Sequence, residues 1–270
     1  MATLTAKPTI VFVPGAWHGP EGFREVAAHL QSAGYQTVLI SLPSVGTDPP
    51  PDSFDPDVAA IRKAVEDALN QETDVVMVFH SYGGFPGNEA MRGLTKSARS
   101  AAGEKTSVIK LVHMCSFVAA EGKNMMDMLG GELLPWIRAE GDFLYPDTAE
   151  ERFYNDLPAS TAREWAEKLK PHAKGTFHSR LTYAAWRDVE NMYILCEKDN
   201  AIPLAVQEKM VNDAKLEGAV FEVERLDASH SPFLIMPERT AECIQRAAAG
   251  RGLVAQVVEV MKQAGDAILG

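Results

Sequence analysis

The stretch Asp74-Val75-Val76-Met77-Val78-Phe79 runs without a polar interruption into His80-Ser81-Tyr82-Gly83-Gly84, after which a helical stretch begins. A continuous apolar, β-branched run of this length fits a strand buried on both faces, the setting of a parallel sheet. Gly83 and Gly84, just after Ser81-Tyr82, let the next helix start close against that strand, so the chain must turn sharply at Ser81. The local pattern therefore asks for a covered sheet with one hydroxyl held at a strand end.

The rest of the chain repeats the same grammar. Thr9-Ile10-Val11-Phe12-Val13 reads as a strand, and Phe23, Val26, Ala27, Leu30 and Ala33 follow at helical spacing, closed by Gly34. Gln36 to Ile40 is a second strand, a Pro-rich loop spans Pro43 to Pro51, and a helix is announced by Asp55 as N-cap with Pro56 behind it. Ser107 to Met114, Met192 to Cys196 and Phe221 to Leu226 supply three more strands. This alternation predicts an α/β architecture, a mostly parallel sheet with helices on both faces. The exception is 118–187, which lacks a convincing strand and reads as an inserted helical cap, leaving 1–117 and 188–270 as the core. At 270 residues with 46% hydrophobic content the chain can build a sizeable core. Beyond Gly250, Val254, Val257, Val258, Met261 and Ile268 share one helical face, expected to pack on the core, with a homodimer contact as the alternative.

Charge and cysteine usage exclude some classes. With 26 Lys and Arg against 37 Asp and Glu, the net charge of -11 opposes phosphate-backbone attraction, so nucleic acid is not the expected partner. The start MATLTAKPT has neither a basic nor an apolar leader region, and no later segment reaches the ~18 apolar residues of a spanning helix, so neither export nor a membrane is expected. Cys115, Cys196 and Cys243 lie far apart with no metal or redox spacing, which fits buried thiols and a cytoplasmic location. Neither H-E-x-x-H nor a comparable His/carboxylate spacing occurs, and no metal or other cofactor is expected.

The chemistry concentrates at strand ends. Phe79 to Gly83 matches G-x-S-x-G, the nucleophile elbow, at its serine and second glycine, with Phe79 where a small residue is expected. In that geometry the amide of the residue after the serine, Tyr82, points where an oxyanion forms. A serine hydroxyl needs a histidine base, and the histidine an orienting carboxylate. His230 directly follows the last strand and Asp199 the strand before it, both at carboxyl ends, where open α/β sheets carry their sites. Glu197 and Asp227 are rival acids; His80 is expected to be a packed neighbour.

On the elbow and the order Ser81, Asp199, His230, the chain resembles the α/β-hydrolase superfamily, nearest to plant methylesterases, hydroxynitrile lyases and their microbial esterase relatives. Val13-Pro14-Gly15-Ala16-Trp17-His18-Gly19 is similar to the family's oxyanion loop, with Pro14 in place of the usual His, and the resemblance makes Ala16 the second amide donor. Phe153-Tyr154-Asn155-Asp156-Leu157-Pro158 and Asp199 to Pro203 are similar to family segments too.

The expected activity is a serine hydrolase acting on a small apolar or aromatic carboxylic ester or lactone, since the cap is rich in aromatic and Met side chains. Trp17, His18, Trp136, Phe153 and Trp186 are the expected pocket residues. The alternatives are a carbon–carbon hydrolase or lyase using the same triad as general base, and a low-turnover ligand receptor. The resemblance itself argues against cyanogenesis: the family's lyases carry Thr where this chain has Gly15 and Lys where it has Ser231.

Overall fold

The structure, a computed structural model, describes residues 6–249; the amphipathic segment beyond Gly250 lies outside them. Its elements in chain order are β1 (Thr9–Val13), α1 (Arg24–Ser32), β2 (Thr37–Leu39), α2 (Asp55–Leu69), β3 (Val75–His80), α3 (Gly84–Ala90), α4 (Lys96–Ala101) and β4 (Val108–Met114). An insertion follows: α5 (Met125–Met128), β5 (Ile137–Glu140), β6 (Phe143–Pro146), α6 (Ala149–Phe153), α7 (Ala159–Ala166) and β7 (His172–Ala173). The core resumes with β8 (Glu190–Cys196), α8 (Leu204–Leu216), β9 (Phe221–Leu226), α9 (Pro232–Ile235) and a helix over 237–249, α10.

Six strands form one sheet in the order β2-β1-β3-β4-β8-β9, every neighbouring pair parallel. All six residues of β3 are buried, as expected for a strand covered on both faces. The period-2 alternation divides its side chains: Val75, Met77 and Phe79 join one core with Ile61 and Val65 of α2, while Val76 and Val78 join another with Val26 and Leu30 of α1. Ala241, Cys243 and Ile244 of α10 seal the second core. All three cysteines are free and buried. Gly34 ends α1 at φ +84, the left-handed conformation glycine adopts without a Cβ clash. Asp55 is the first residue of α2 rather than its cap; its amide donates to the Ser53 hydroxyl.

The insertion is not purely helical, which corrects the expectation for 118–187. Its helices surround a small antiparallel sheet, β5-β6-β7. β5 and β6 join through a two-residue Gly141-Asp142 turn with Gly141 at φ +56, a recognised hairpin signal. It was obscured because the strands are four residues long and three of the four in β5 are exposed, so no apolar alternation marks them. β7 also bridges back to the loop after β2 through Val45 and His172.

Candidate active site

Ser81 sits at the carboxyl end of β3 with φ +52, a left-handed conformation that costs a non-glycine residue energy unless its surroundings hold it. They do: its carbonyl accepts from the Phe117 amide at 3.2 Å and from the Ser116 hydroxyl at 2.9 Å. The glycines around the turn are there for close approach. A Cβ on Gly83 would stand 2.6 Å from the Pro14 carbonyl oxygen, and one on Gly84 2.2 Å from that of Phe117. The bulk of Phe79 is absorbed by a glycine further on: its ring lies against Gly87 of α3, where a Cβ would meet Cε1 at 2.4 Å.

Asp199 and His230 come together from loops after β8 and β9. His230 Nδ1 donates to Asp199 Oδ2 at 2.7 Å, with both side chains almost fully buried. The other carboxylate oxygen accepts from the amides of Ala201 and Ile202 at 2.7 and 2.8 Å, an Asx-type turn that orients the carboxylate. With Nδ1 engaged, Nε2 is the ring nitrogen left for proton transfer. The rival acids point elsewhere: Glu197 pairs with Arg225 and Asp227 with Lys198.

Four further residues hold this arrangement and were not singled out from the sequence. Buried Gln207 of α8 donates to Asp199 Oδ2 at 3.3 Å and to the Ile202 carbonyl at 2.7 Å. Asp156 accepts from the Ser229 amide at 2.6 Å, and the Ser229 hydroxyl donates to the Phe153 carbonyl at 3.1 Å, so a cap segment grips the His230 loop. On the other side, buried Asp57 accepts from the Tyr82 hydroxyl at 2.9 Å and the Ser44 amide at 2.8 Å. Burial raises the carboxyl pKa of Asp57 above the usual aspartate value, while its bonds from Ser44 and Tyr82 oppose that rise. Only Asp156 had a sequence signal, inside the family-like segment 153–158; Ser229 and Asp57 are ordinary residues whose partners lie at distant positions, and Gln207 is a polar helix residue whose partners lie in the loop just before it.

A narrow cavity of about 30 Å³ lies at Ser81. Ala16, Tyr82, Trp17, Trp136 and Phe153 line it with Ser81. Ala16 and Tyr82, the two residues expected to supply amide donors, therefore both line the cavity at Ser81, and the Ala16 N–H finds no acceptor among the described residues. Trp17, at φ +67, donates its indole N–H to the Leu144 carbonyl of β6 at 2.9 Å and stacks on Phe153 at 5.7 Å between centroids. Met125 and Phe177 complete apolar walls that no single-position argument selects.

Two expected pocket residues are not there. Trp186 is buried, its indole N–H donating to the Ala119 carbonyl at 2.8 Å, and does not line the cavity. His18 turns away into a separate small cavity with Trp165 and Phe233. Its Nδ1 donates to the Ala16 carbonyl at 2.6 Å and its Nε2 accepts from the Tyr154 hydroxyl at 3.0 Å, the pattern of a neutral ring. Burial lowers its pKa to about 4, against the opposing effect of the Ala16 bond. Its position next to Trp17 suggested a pocket role; the left-handed turn at Trp17 sends the two rings different ways.

His80 is the packed neighbour expected of it. Its Nε2 donates to the His230 carbonyl at 2.9 Å, and burial, then the proximity of His230, holds its pKa well below the usual histidine value. His80, Cys115 and His230 bring three potential metal-ligating atoms within 4.8 Å of one another. These groups are already committed: the Cys115 thiol also donates to the His230 carbonyl, and His230 Nδ1 belongs to Asp199.

Residues 10–243 match the alpha/beta hydrolase family. The chain is 32% identical over 252 residues to the alpha/beta hydrolase nvfD of Aspergillus novofumigatus, covering 90% of this chain and 97% of that one. Among solved structures, it superposes on a methylesterase, MES16, from Arabidopsis with a TM-score of 0.68 at 19% identity, covering 90% of this chain and 98% of that one. A pyrethroid hydrolase from Sphingobium faniae JZ-2 gives a TM-score of 0.68 at 21% identity with the same coverage, 90% and 98%. At those identities the two structures establish a shared fold.

Proposed function

The chain belongs to the alpha/beta hydrolase family, and from that premise we propose that it is a serine hydrolase that cleaves a small apolar or aromatic carboxylic ester or lactone. The observations that carry this reading are the buried 2.7 Å pair of Asp199 and His230 and a serine held at φ +52 in the wall of an apolar cavity. Strain and burial of this kind are kept where they serve chemistry.

In the proposed cycle Ser81 Oγ attacks the ester carbonyl while His230 Nε2 takes its proton. Asp199 holds the imidazole and stabilises its cationic form. The Ala16 and Tyr82 amides stabilise the oxyanion, which costs no reorganisation because backbone donors are fixed in place. The C–O bond to the alcohol breaks, and His230 returns the proton to the departing oxygen. Water, deprotonated by the same imidazole, then cleaves the acyl–Ser81 bond and releases the acid.

The rival readings are less well supported. A Cβ on Gly15 would come within 2.8 Å of Ser81 Cβ, so there is no room for the threonine that the cyanogenic relatives carry. The receptor reading follows from a fold that does not by itself fix function; Phe79 at the elbow favoured it only slightly, and the niche at Gly87 accommodates that ring. Carbon–carbon hydrolysis would use the same three side chains and gains no separate observation. The similar proteins named above support hydrolysis in general terms, as a hydrolase, a methylesterase and a pyrethroid hydrolase.

The test is a fluorophosphonate probe on purified wild-type and Ser81→Ala protein, read by intact mass beside hydrolysis of a small aromatic ester panel. One adduct on wild type, none on the variant and ester turnover in wild type only are expected. A folded wild-type protein that takes no adduct and turns over no ester would overturn the reading.

A further inference from the structure

A second cavity, of about 390 Å³, adjoins the one at Ser81 and shares with it Phe117, Leu129, Leu134, Trp136, Ala201 and Ile202; the two are termed the inner chamber and the vestibule. Phe153 lines the chamber and its neighbour Arg152 the vestibule. Among the described residues of the vestibule wall, Arg152 alone carries a charge. Asn200, the other polar side chain there, donates its amide to the Glu151 carbonyl at 2.9 Å.

Arg152 is half-buried on α6, and its Nε is enclosed with no hydrogen-bond partner. Its guanidinium enters no ion pair or cation–π contact with the described residues. Most of the other arginines among the described residues are engaged; Arg138, for example, meets both Glu140 and Asp147. A half-buried guanidinium with no partner among the described residues is costly, and because Nε is enclosed its terminal N–H groups are the ones left to pair with an anion. The planar fork of arginine matches carboxylate geometry, with two parallel N–H···O bonds. One guanidinium among apolar walls balances one negative charge, whereas a phosphate monoester brings close to two.

We propose that Arg152 anchors a carboxylate on the end of the substrate remote from the scissile bond, making the preferred substrate an apolar ester or lactone that also bears a free acid. This deepens the serine-hydrolase reading and rests on it for turnover. The apolar stretch between the two ends would lie along Leu129, Leu134 and Trp136, and the reacting carbonyl at Ser81.

The experiment uses two matched ester pairs, one for each orientation in the site. The first is the 4-nitrophenyl monoester of suberic acid against its methyl ester. The second is 4-(2-carboxyethyl)phenyl hexanoate against its methyl ester. In at least one pair wild-type protein is expected to favour the free acid by about tenfold in kcat/KM, with Arg152→Gln abolishing that ratio and Arg152→Lys keeping part of it. A preference for the methyl ester in both pairs, or a ratio that survives Arg152→Gln, would overturn the proposal. Calorimetric titration of Ser81→Ala with the free-acid esters separates the anchor from the chemistry. Binding about tenfold tighter than in Ser81→Ala/Arg152→Gln supports the anchor even if wild type proves not to be a serine hydrolase; equal affinities refute it.

Discussion

The ring of Phe79 lies against Gly87, seven residues beyond the strand end, where a Cβ would stand 2.4 Å from its Cε1. The space that a small residue ordinarily leaves at the start of the elbow is thus supplied from the facing helix. Gly87→Ala should therefore overpack this contact and destabilise the protein by about 1–3 kcal/mol. Phe79→Leu in the same background should recover most of the loss, because the two changes share one space. Urea unfolding of the two single variants and the double variant measures the coupling; additive effects would show that the niche is not what accommodates Phe79.

Asp199 is the acid in contact with His230, and Glu197 and Asp227 are held in surface ion pairs. Asp199→Asn should lower kcat by about 10³- to 10⁴-fold, since the amide no longer fixes the tautomer that leaves Nε2 bare. Glu197→Gln and Asp227→Asn should change it by less than about threefold, in line with exposed pairs that contribute little. Steady-state kinetics on the best ester of the panel decides, and a large fall at Glu197→Gln would move the acid.

Asp156 and Ser229 join the cap to the His230 loop through a 2.6 Å bond in which the carboxylate accepts. Asp156→Ala should cost about 1–3 kcal/mol of stability by leaving the Ser229 amide unpaired. It should also lower kcat about 10- to 100-fold, the size of effect that follows from a small misplacement of a catalytic group. Parallel denaturation and kinetics test the link: a stability loss with kcat unchanged would make the contact structural alone.

Three buried histidines bias stability toward neutral pH. Desolvation lowers His18 and His113 to about 4 and His172 to about 3. The Nδ1 atoms of His113 and His172 are enclosed without partners, tolerable for a bare nitrogen but not for a buried cation. In the unfolded chain these rings take up protons near 6.5. Because the folded values are depressed, the contribution to stability is full above about 6.5 and is lost as pH falls from there toward 4. Each ring should contribute up to about a tenfold change in the folding equilibrium per pH unit in that window. Urea unfolding at pH 7, 6 and 5 should show the decline, with a shallower slope in His113→Gln; a pH-independent midpoint would contradict it.

Much of the fold was legible because each strand of the sheet is a local statement. β3 declares its burial on both faces by unbroken hydrophobicity, α1 its end by Gly34, and the turn at Ser81 its sharpness by the glycines that follow. Once the strands were placed, the positions of Asp199 and His230 followed, since residues just after parallel strands emerge at one edge of the sheet. The hairpin of the cap was harder to read, because β5 is exposed and its four residues carry no alternation.

What the chain could not declare locally is decided by backbone direction and by partners far apart along it. Trp17 and His18 are adjacent, yet one enters the cavity and the other a different one, because a single residue at φ +67 separates their directions. Asp156 grips Ser229 and Asp57 holds Tyr82 only after distant parts of the chain have assembled. The sequence alone determined the α/β frame and the order of the three candidate catalytic side chains, because hydrophobic period and turn chemistry act over a few residues. Tertiary structure decided which side chains wall the chamber and which polar groups find partners, because a hydrogen bond or a van der Waals contact depends on positions to a fraction of an ångström.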